Sequence, residues 1–261
     1  MNAKQPQSET DKTVAKLRQQ ITLLEQRVRQ GEKSIRSVLA VAGLKDLMPA
    51  EELRVHVGTN TSSMNFYSQG ISSAAKTIEV FGRKPDGPML DWGCGSGRTF
   101  NWLRMLPGWN KHYNGCDVDS DAIAWLLSQG VKKAKVCDAQ PPLPFDQDTF
   151  SGLFCYSVLT HIHADQHEAW YAEIARVLRP GGRAFLTIQG DTVIASRRDW
   201  DQGMLDHYNH HGWAHITIEG HYKDAALVSM AWARERLAPY FSDIVAIPKG
   251  YNNMDAFIAT K

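Results

Sequence analysis

Long apolar runs are missing from this chain. No stretch of its 261 residues approaches the roughly 20 consecutive apolar residues that cross a bilayer, and Met1 to Lys12 are polar, unlike a secretory leader. The expectation is a cytoplasmic protein with no membrane partner. An excess of one charge is lacking too. The 29 Lys and Arg against 28 Asp and Glu leave a formal net charge of +1, which gives no general pull toward nucleic acid or an acidic surface. Cysteine is scarce: Cys94, Cys116, Cys137 and Cys155 lie far apart, each at or near the end of a predicted strand. That spacing is neither a metal-ligand pattern nor a disulfide framework, so reduced thiols are expected. What the chain does have is 43% hydrophobic residues, enough for one good core and an appendage.

The appendage comes first. After a disordered start of about ten residues, apolar side chains fall at Val14, Leu17, Ile21, Leu24, Val28, Ile35 and Val38, in steps of three and four, with Gly31 on the same seam. Residues 1–42 therefore read as an amphipathic, coiled-coil-like helix. It serves either as a homodimer contact or as a helix folded back on its own domain. Residues 43–86 read as a helical connector, with a helix start at Pro49-Ala50-Glu51-Glu52, a loop at 58–63 and a helix over 65–81.

Residues 87–261 alternate regularly. Strands are predicted at 88–93, 112–118, 133–138, 152–157, 182–189, 243–248 and 254–260, and helices at 97–106, 119–129, 164–179 and 229–240. This is an α/β pattern: a doubly wound, mostly parallel seven-stranded sheet with right-handed crossovers. The last two strands are joined only by residues 248–253, too few for a crossover helix, so they form an antiparallel hairpin edge.

Met89-Leu90-Asp91-Trp92-Gly93-Cys94-Gly95-Ser96-Gly97-Arg98 carries the chemistry. A buried strand runs into a glycine-rich turn, where the main chain bends sharply and approaches a ligand without intervening side chains. Asp91 stands one step before the turn, where a dinucleotide fold has an apolar residue. A carboxylate there suits a cationic α-amino group and points to S-adenosylmethionine. The next strands end in acids as well. Asp117, followed by Val118, lies about 20 residues after the last glycine and suits a ribose diol; Asp119 is assigned to the start of the next helix. Asp138-Ala139 suits the adenine edge: the acid accepts from the exocyclic amine and the backbone N–H donates to the ring. The fourth strand, ending at Tyr156, forms the floor under the sulfonium. Tyr67 on the helix before the turn closes over the cofactor. The expected cofactor-binding set is thus Asp91, Gly93, Cys94, Gly95, Gly97, Asp117, Val118, Asp138, Ala139, Tyr156 and Tyr67.

On these motifs the stretch from Gly87 to Gln189 resembles a class I S-adenosylmethionine-dependent methyltransferase of the broad group often labelled type 11. Leu143-Pro144-Phe145-Asp146 and Leu178-Arg179-Pro180-Gly181-Gly182 resemble the family's turns before the fourth and fifth strands. The resemblance implies the fold and the cofactor. Trp92, bulkier than the usual aliphatic residue, departs from the family pattern, as does the whole segment 191–221. Ser157-Val158-Leu159-Thr160-His161-Ile162, Tyr240-Phe241 and Asn253-Met254-Asp255 are similar to a subset associated with glycan pathways.

A hydroxyl acceptor needs a base, and histidine suits that task because it titrates near neutrality. His161 and His163, just beyond the fourth strand, are the candidates; His161 either serves as the base or packs beneath the next helix. The insert 191–221 is expected to be a lid over the acceptor, and its Trp200, Tyr208 and Trp213 among His207, His210, His211, His215 and His221 suit a sugar or simply a packed surface. No metal is expected. The leading expectation is methylation of a small polar acceptor, a hydroxyl of a sugar or glycan precursor. An N-methyltransferase is kept as an alternative. A base methyltransferase is disfavoured, because Cys155-Tyr156-Ser157-Val158 replaces the Asn/Asp-Pro-Pro-aromatic signature and no basic stripe compensates. A non-catalytic scaffold that keeps the cofactor fold is another alternative. A nicotinamide dehydrogenase fails on glycine spacing.

Overall fold

A computed structural model describes residues 9–41, 43, 46–54, 60–217 and 224–261. They fall into two compact units divided after Asp46. The first contains α1 (Glu9–Val41), one helix of 33 residues. Its Leu17, Ile21, Leu24, Val28 and Val38 are exposed, and Arg36 pairs with Asp46 at 3.6 Å. The expected disordered start lies largely outside the described residues.

The second unit is built on a seven-stranded sheet in the order β3-β2-β1-β4-β5-β9-β8. Its strands are β1 (Met89–Trp92), β2 (Tyr113–Asp117), β3 (Ala134–Val136), β4 (Phe150–Cys155), β5 (Leu178–Ile188), β8 (Asp243–Tyr251) and β9 (Met254–Thr260). Pairs from β3 to β5 are parallel, while β9 runs antiparallel to both β5 and β8. The short 248–253 connection therefore makes the hairpin that its length required.

Burial follows the two-residue period of a strand covered on both faces. Leu90, Trp92, Leu153 and Cys155 join one core cluster, and Met89 and Phe154 the other. The chain winds outward from β1 to β3, then returns to place β4 on the opposite side of β1. That reversal lies between the carboxyl ends of β1 and β4, where an open α/β sheet leaves a crevice.

The helix before the sheet, α2 (Ser63–Phe81), is started by Ser62, whose hydroxyl accepts the Asn65 N–H, and stopped by Gly82 at φ 84°. In place of the helix expected from Pro49 there is a single 3-10 turn, Glu51–Arg54; part of the expected 58–63 loop lies outside the described residues. The helix expected over 97–106 shortens to α3 (Phe100–Leu103), because its last hydrogen bonds tighten to i→i+3 (Met105 to Trp102, Leu106 to Leu103) before Pro107. Crossovers follow through α4 (Trp109–His112), α5 (Ser120–Ser128) and α6 (His167–Val177).

The insert is more structured than a plain lid and extends past 221. It comprises α7 (Asp191–Ser196), α8 (Gln202–His211), β6 (Trp213–Thr217) and β7 (Asp224–Val228). β6 and β7 form an antiparallel hairpin, and Leu227 bridges to Gln189 at the end of β5, so the unit closes only at residue 228. Two carboxylates anchor it. Asp255, fully buried, accepts from the Thr192 and Lys249 N–H groups and from the Thr192 hydroxyl. Asp191 accepts from the Tyr208 hydroxyl and the Met230 N–H at the start of α9 (Met230–Leu237).

Candidate active site

Glycine at 93, 95 and 97 is required for different reasons. All three have positive φ, 76°, 49° and 82°. A Cβ at Gly93 would stand 2.2 Å from Val158 Cγ2, and one at Gly97 would stand 2.7 Å from Leu126 Cδ2, so those two are small for packing. Gly95 is different. A Cβ there would meet only Asp117 Oδ2, at 4.0 Å, so its missing side chain leaves open space beside a carboxylate.

Asp117 is held toward that space by main-chain donors: the Gly95 N–H reaches Oδ2 at 2.6 Å and the Asp119 N–H reaches Oδ1 at 2.9 Å. Asp119 caps α5 by accepting from Asp121 and Ala122. Asp91 is 2% exposed and accepts the Tyr113 hydroxyl at 3.0 Å, with Tyr113 stacked on Phe100. Burial pushes its carboxyl from 3.8 up to about 7, against the smaller pull of the Tyr113 bond and of Arg98. Cys94 lies buried beside it, its thiol pushed up by the same desolvation. Asp91, Gly93, Cys94, Gly95, Gly97 and Asp117 thus form one connected patch at the end of β1.

The remaining expected residues are more scattered. Val118, Asp138 and Ala139 are exposed just past β2 and β3. Tyr156 is buried with its hydroxyl 2.8 Å from Thr77 Oγ1 and donating to the Ser73 carbonyl, so its polar end is spent on α2. What it offers to a floor is its ring. Tyr67 is fully buried, edge-on to Trp102 at 6.0 Å. It sits inside the packing of α2 on the helix after the glycine turn, where a Cβ on Gly70 would meet the Arg98 carbonyl oxygen at 2.5 Å. Enclosed there, its ring forms part of the packing between α2 and that helix.

His161 ends a 3-10 turn, Leu159–His161, and is exposed. His163 is exposed and meets His215 of β6 edge-on at 4.2 Å. The Ala164 N–H donates to His215 Nε2 at 3.1 Å, which engages that nitrogen as an acceptor. From this contact a row of rings continues through Trp213, His207 and His211 to His210, with neighbouring centroids 4.4 to 5.0 Å apart. His221 lies outside the described residues. No group of three or more His, Cys, Asp or Glu suited to a metal occurs among the described residues, and no described helix is long and apolar enough to cross a membrane.

Two residues escaped the sequence reading. Ser157, at the end of β4, has φ 64°, a left-handed conformation that is rare outside glycine and concentrates at functional sites. Its N–H donates to Thr187 Oγ1 and its hydroxyl pairs with Thr160. His167 is fully buried: Nε2 must carry the proton, because it faces the Leu159 and Ile162 carbonyls, and Nδ1 then accepts from Tyr171. It pins the turn that presents His161 and His163. Only a spacing to α6, invisible locally, would have singled it out.

Burial lowers His167 from 6.5 to about 4, so the unfolded chain binds the proton more readily than the folded one. Stability should fall as pH drops from about 6.5 to about 4, by at most about 3 kcal/mol. Urea midpoints for His167→Gln should flatten over that window. A slope as steep as the parent's would remove His167 as its source.

A methyltransferase-domain family model matches residues 90–186. A mouse tRNA (carboxymethyluridine(34)-5-O)-methyltransferase is 27% identical over 55% of this chain and 21% of its own length. Methyltransferase GfsG of Streptomyces halstedii is 30% identical over 42% of this chain and 40% of its own. The chain thus spans well under two thirds of these relatives. Among solved structures, PH0226 from Pyrococcus horikoshii OT3 shares the fold, with a TM-score of 0.56 at 16% identity over 82% of this chain and 98% of the other.

Residues 90–186 match a methyltransferase domain, and the fold around them is that of the solved structure it resembles. The patch at the end of β1 fits S-adenosylmethionine: open space at Gly95 beside Asp117, and a desolvated carboxylate at Asp91 with Arg98 within electrostatic reach.

Proposed function

We propose that the protein methylates a small polar acceptor, a hydroxyl of a sugar or glycan precursor, in the cytoplasm. Asp91 would hold the cofactor's ammonium group and Arg98 its carboxylate, a pairing of opposite charges matched to an amino-acid zwitterion. Asp117 would take the ribose and Asp138-Ala139 the adenine. When bound, S-adenosylmethionine supplies an electrophilic methyl group. The work left to the chain is to hold the acceptor in line, exclude water and take up a proton. In-line positioning is worth about 7–11 kcal/mol, and a placed base adds about 10²–10⁴-fold.

The observation that carries the acceptor class is the row of rings from His163 through His215 and Trp213 to His210. It joins flat apolar faces to imidazole nitrogens, which suits a molecule with ring C–H faces and many hydroxyls. His163 is favoured over His215 as the base, because the Ala164 N–H occupies His215 Nε2. His161 is the other candidate. The helical arm is read as joining two copies of the chain.

Calorimetry with S-adenosylhomocysteine, alongside NADH, tests the cofactor site; binding to neither removes the reading. Turnover with candidate sugar nucleotides, read by mass spectrometry as a gain of one methylene, tests the acceptor. His163→Ala should lower turnover on a hydroxyl acceptor by about 10²–10⁴-fold with cofactor affinity intact. Unchanged turnover would take the base role from His163.

A further inference from the structure

The arm α1 has an apolar seam whose register can be assigned. Taking Leu17, Leu24, Gly31 and Val38 as heptad d positions makes Ile21, Val28 and Ile35 the a positions. Leu17, Ile21, Leu24, Val28 and Val38 are 43 to 57% exposed, so along most of its length the seam has no cover from the described residues of its own unit. A helix of 33 residues is about 50 Å long, and an amphipathic helix draws most of its stability from packing its apolar face rather than from local propensity. Another helix must cover it.

We propose that the occupant is a second copy of this chain, running parallel and in register. The inference rests on the self-association read above and adds its orientation. The a positions are all β-branched and the first two d positions are Leu. That is the arrangement which, in a parallel coil, packs best as two strands, because the a and d layers meet at different angles. Charges at the flanks agree. Arg27 at g faces Glu32 at e of the other copy, and Gln20 at g faces Glu25, so no like charges meet across the parallel seam. Gly31 would face Gly31, leaving a thin layer that weakens the coil there without altering its register.

The test uses the full chain. Light scattering on the eluting protein should give twice the mass of one chain, falling to a single copy in Leu17→Glu/Leu24→Glu. Leu17→Cys and Val38→Cys, made separately and oxidised, should each form a covalent dimer; all four native cysteines are buried and should contribute none. Only a parallel, in-register pair satisfies both positions. A single-copy mass in the parent at every concentration overturns self-association and the orientation with it. A dimer that cross-links only when Leu17→Cys is mixed with Ile35→Cys leaves self-association standing and overturns the parallel arrangement. A dimer that survives Leu17→Glu/Leu24→Glu, or that cross-links in none of these forms, places the contact elsewhere and also overturns it.

Discussion

Asp91→Asn should weaken S-adenosylhomocysteine binding by about 10–100-fold and, at pH 8, raise the melting temperature of the ligand-free protein. The two effects have one cause. Burial lifts the Asp91 carboxyl from 3.8 to about 7, so the folded chain resists its ionisation. In sign, the folded state binds the proton more tightly than the unfolded state, so the destabilisation is absent below about pH 4. It grows as pH rises toward 7 and is constant above. Its ceiling is about 4 kcal/mol at 1.36 kcal/mol per pH unit. Asn keeps an acceptor for the Tyr113 hydroxyl and carries no charge, so the cost disappears. A cationic ammonium group then loses its charged partner, a hydrogen bond worth about 1.5–3 kcal/mol. Melting curves from pH 5 to 8 with and without ligand separate the two effects. Equal ligand affinity in the variant and the parent would remove Asp91 from the site.

The second large effect divides the glycines by role. Gly93→Ala should lose about 3 kcal/mol or more, and with it roughly 10 °C in melting temperature. Its φ of 76° already costs an L-residue about 1–2 kcal/mol, and the new methyl would overlap Val158 Cγ2. Adding Val158→Ala should recover part of that loss. Gly95→Ala meets no such wall, so it should cost only the conformational strain and leave the fold largely intact. Its methyl would occupy the space above Asp117, and ligand affinity should fall by at least about tenfold, roughly 1.4 kcal/mol. If Gly95→Ala bound normally, the open space at that position would not be a ligand cradle.

Much of this was legible beforehand. The mostly parallel sheet follows from alternating patterns, and its antiparallel last pair from the shortness of the 248–253 link, because a parallel crossover cannot be built from so few residues. Asp91, the glycine turn and Asp117 were readable as a group, since a strand end, a tight turn and the next strand end are local features whose convergence the sheet topology guarantees. The roles of Tyr67 and Tyr156 were not readable. Both depend on how α2 packs: one phenol ring is enclosed and the other phenol's hydroxyl is spent on the Ser73 carbonyl.

The amino-acid order by itself determined the doubly wound sheet, its antiparallel edge, the long first helix and the acid that ends β1, because each is set by periodicity, turn length or near neighbours. Tertiary packing alone decided the rest. It raised Asp91 toward 7 by excluding water, separated the open glycine from the two that are sterically boxed, and held Ser157 in a left-handed turn. It also drew His163, Trp213 and the α8 histidines into one row across distant segments. Desolvation and contact between residues far apart in the chain are properties of the assembled core, and no local pattern encodes them.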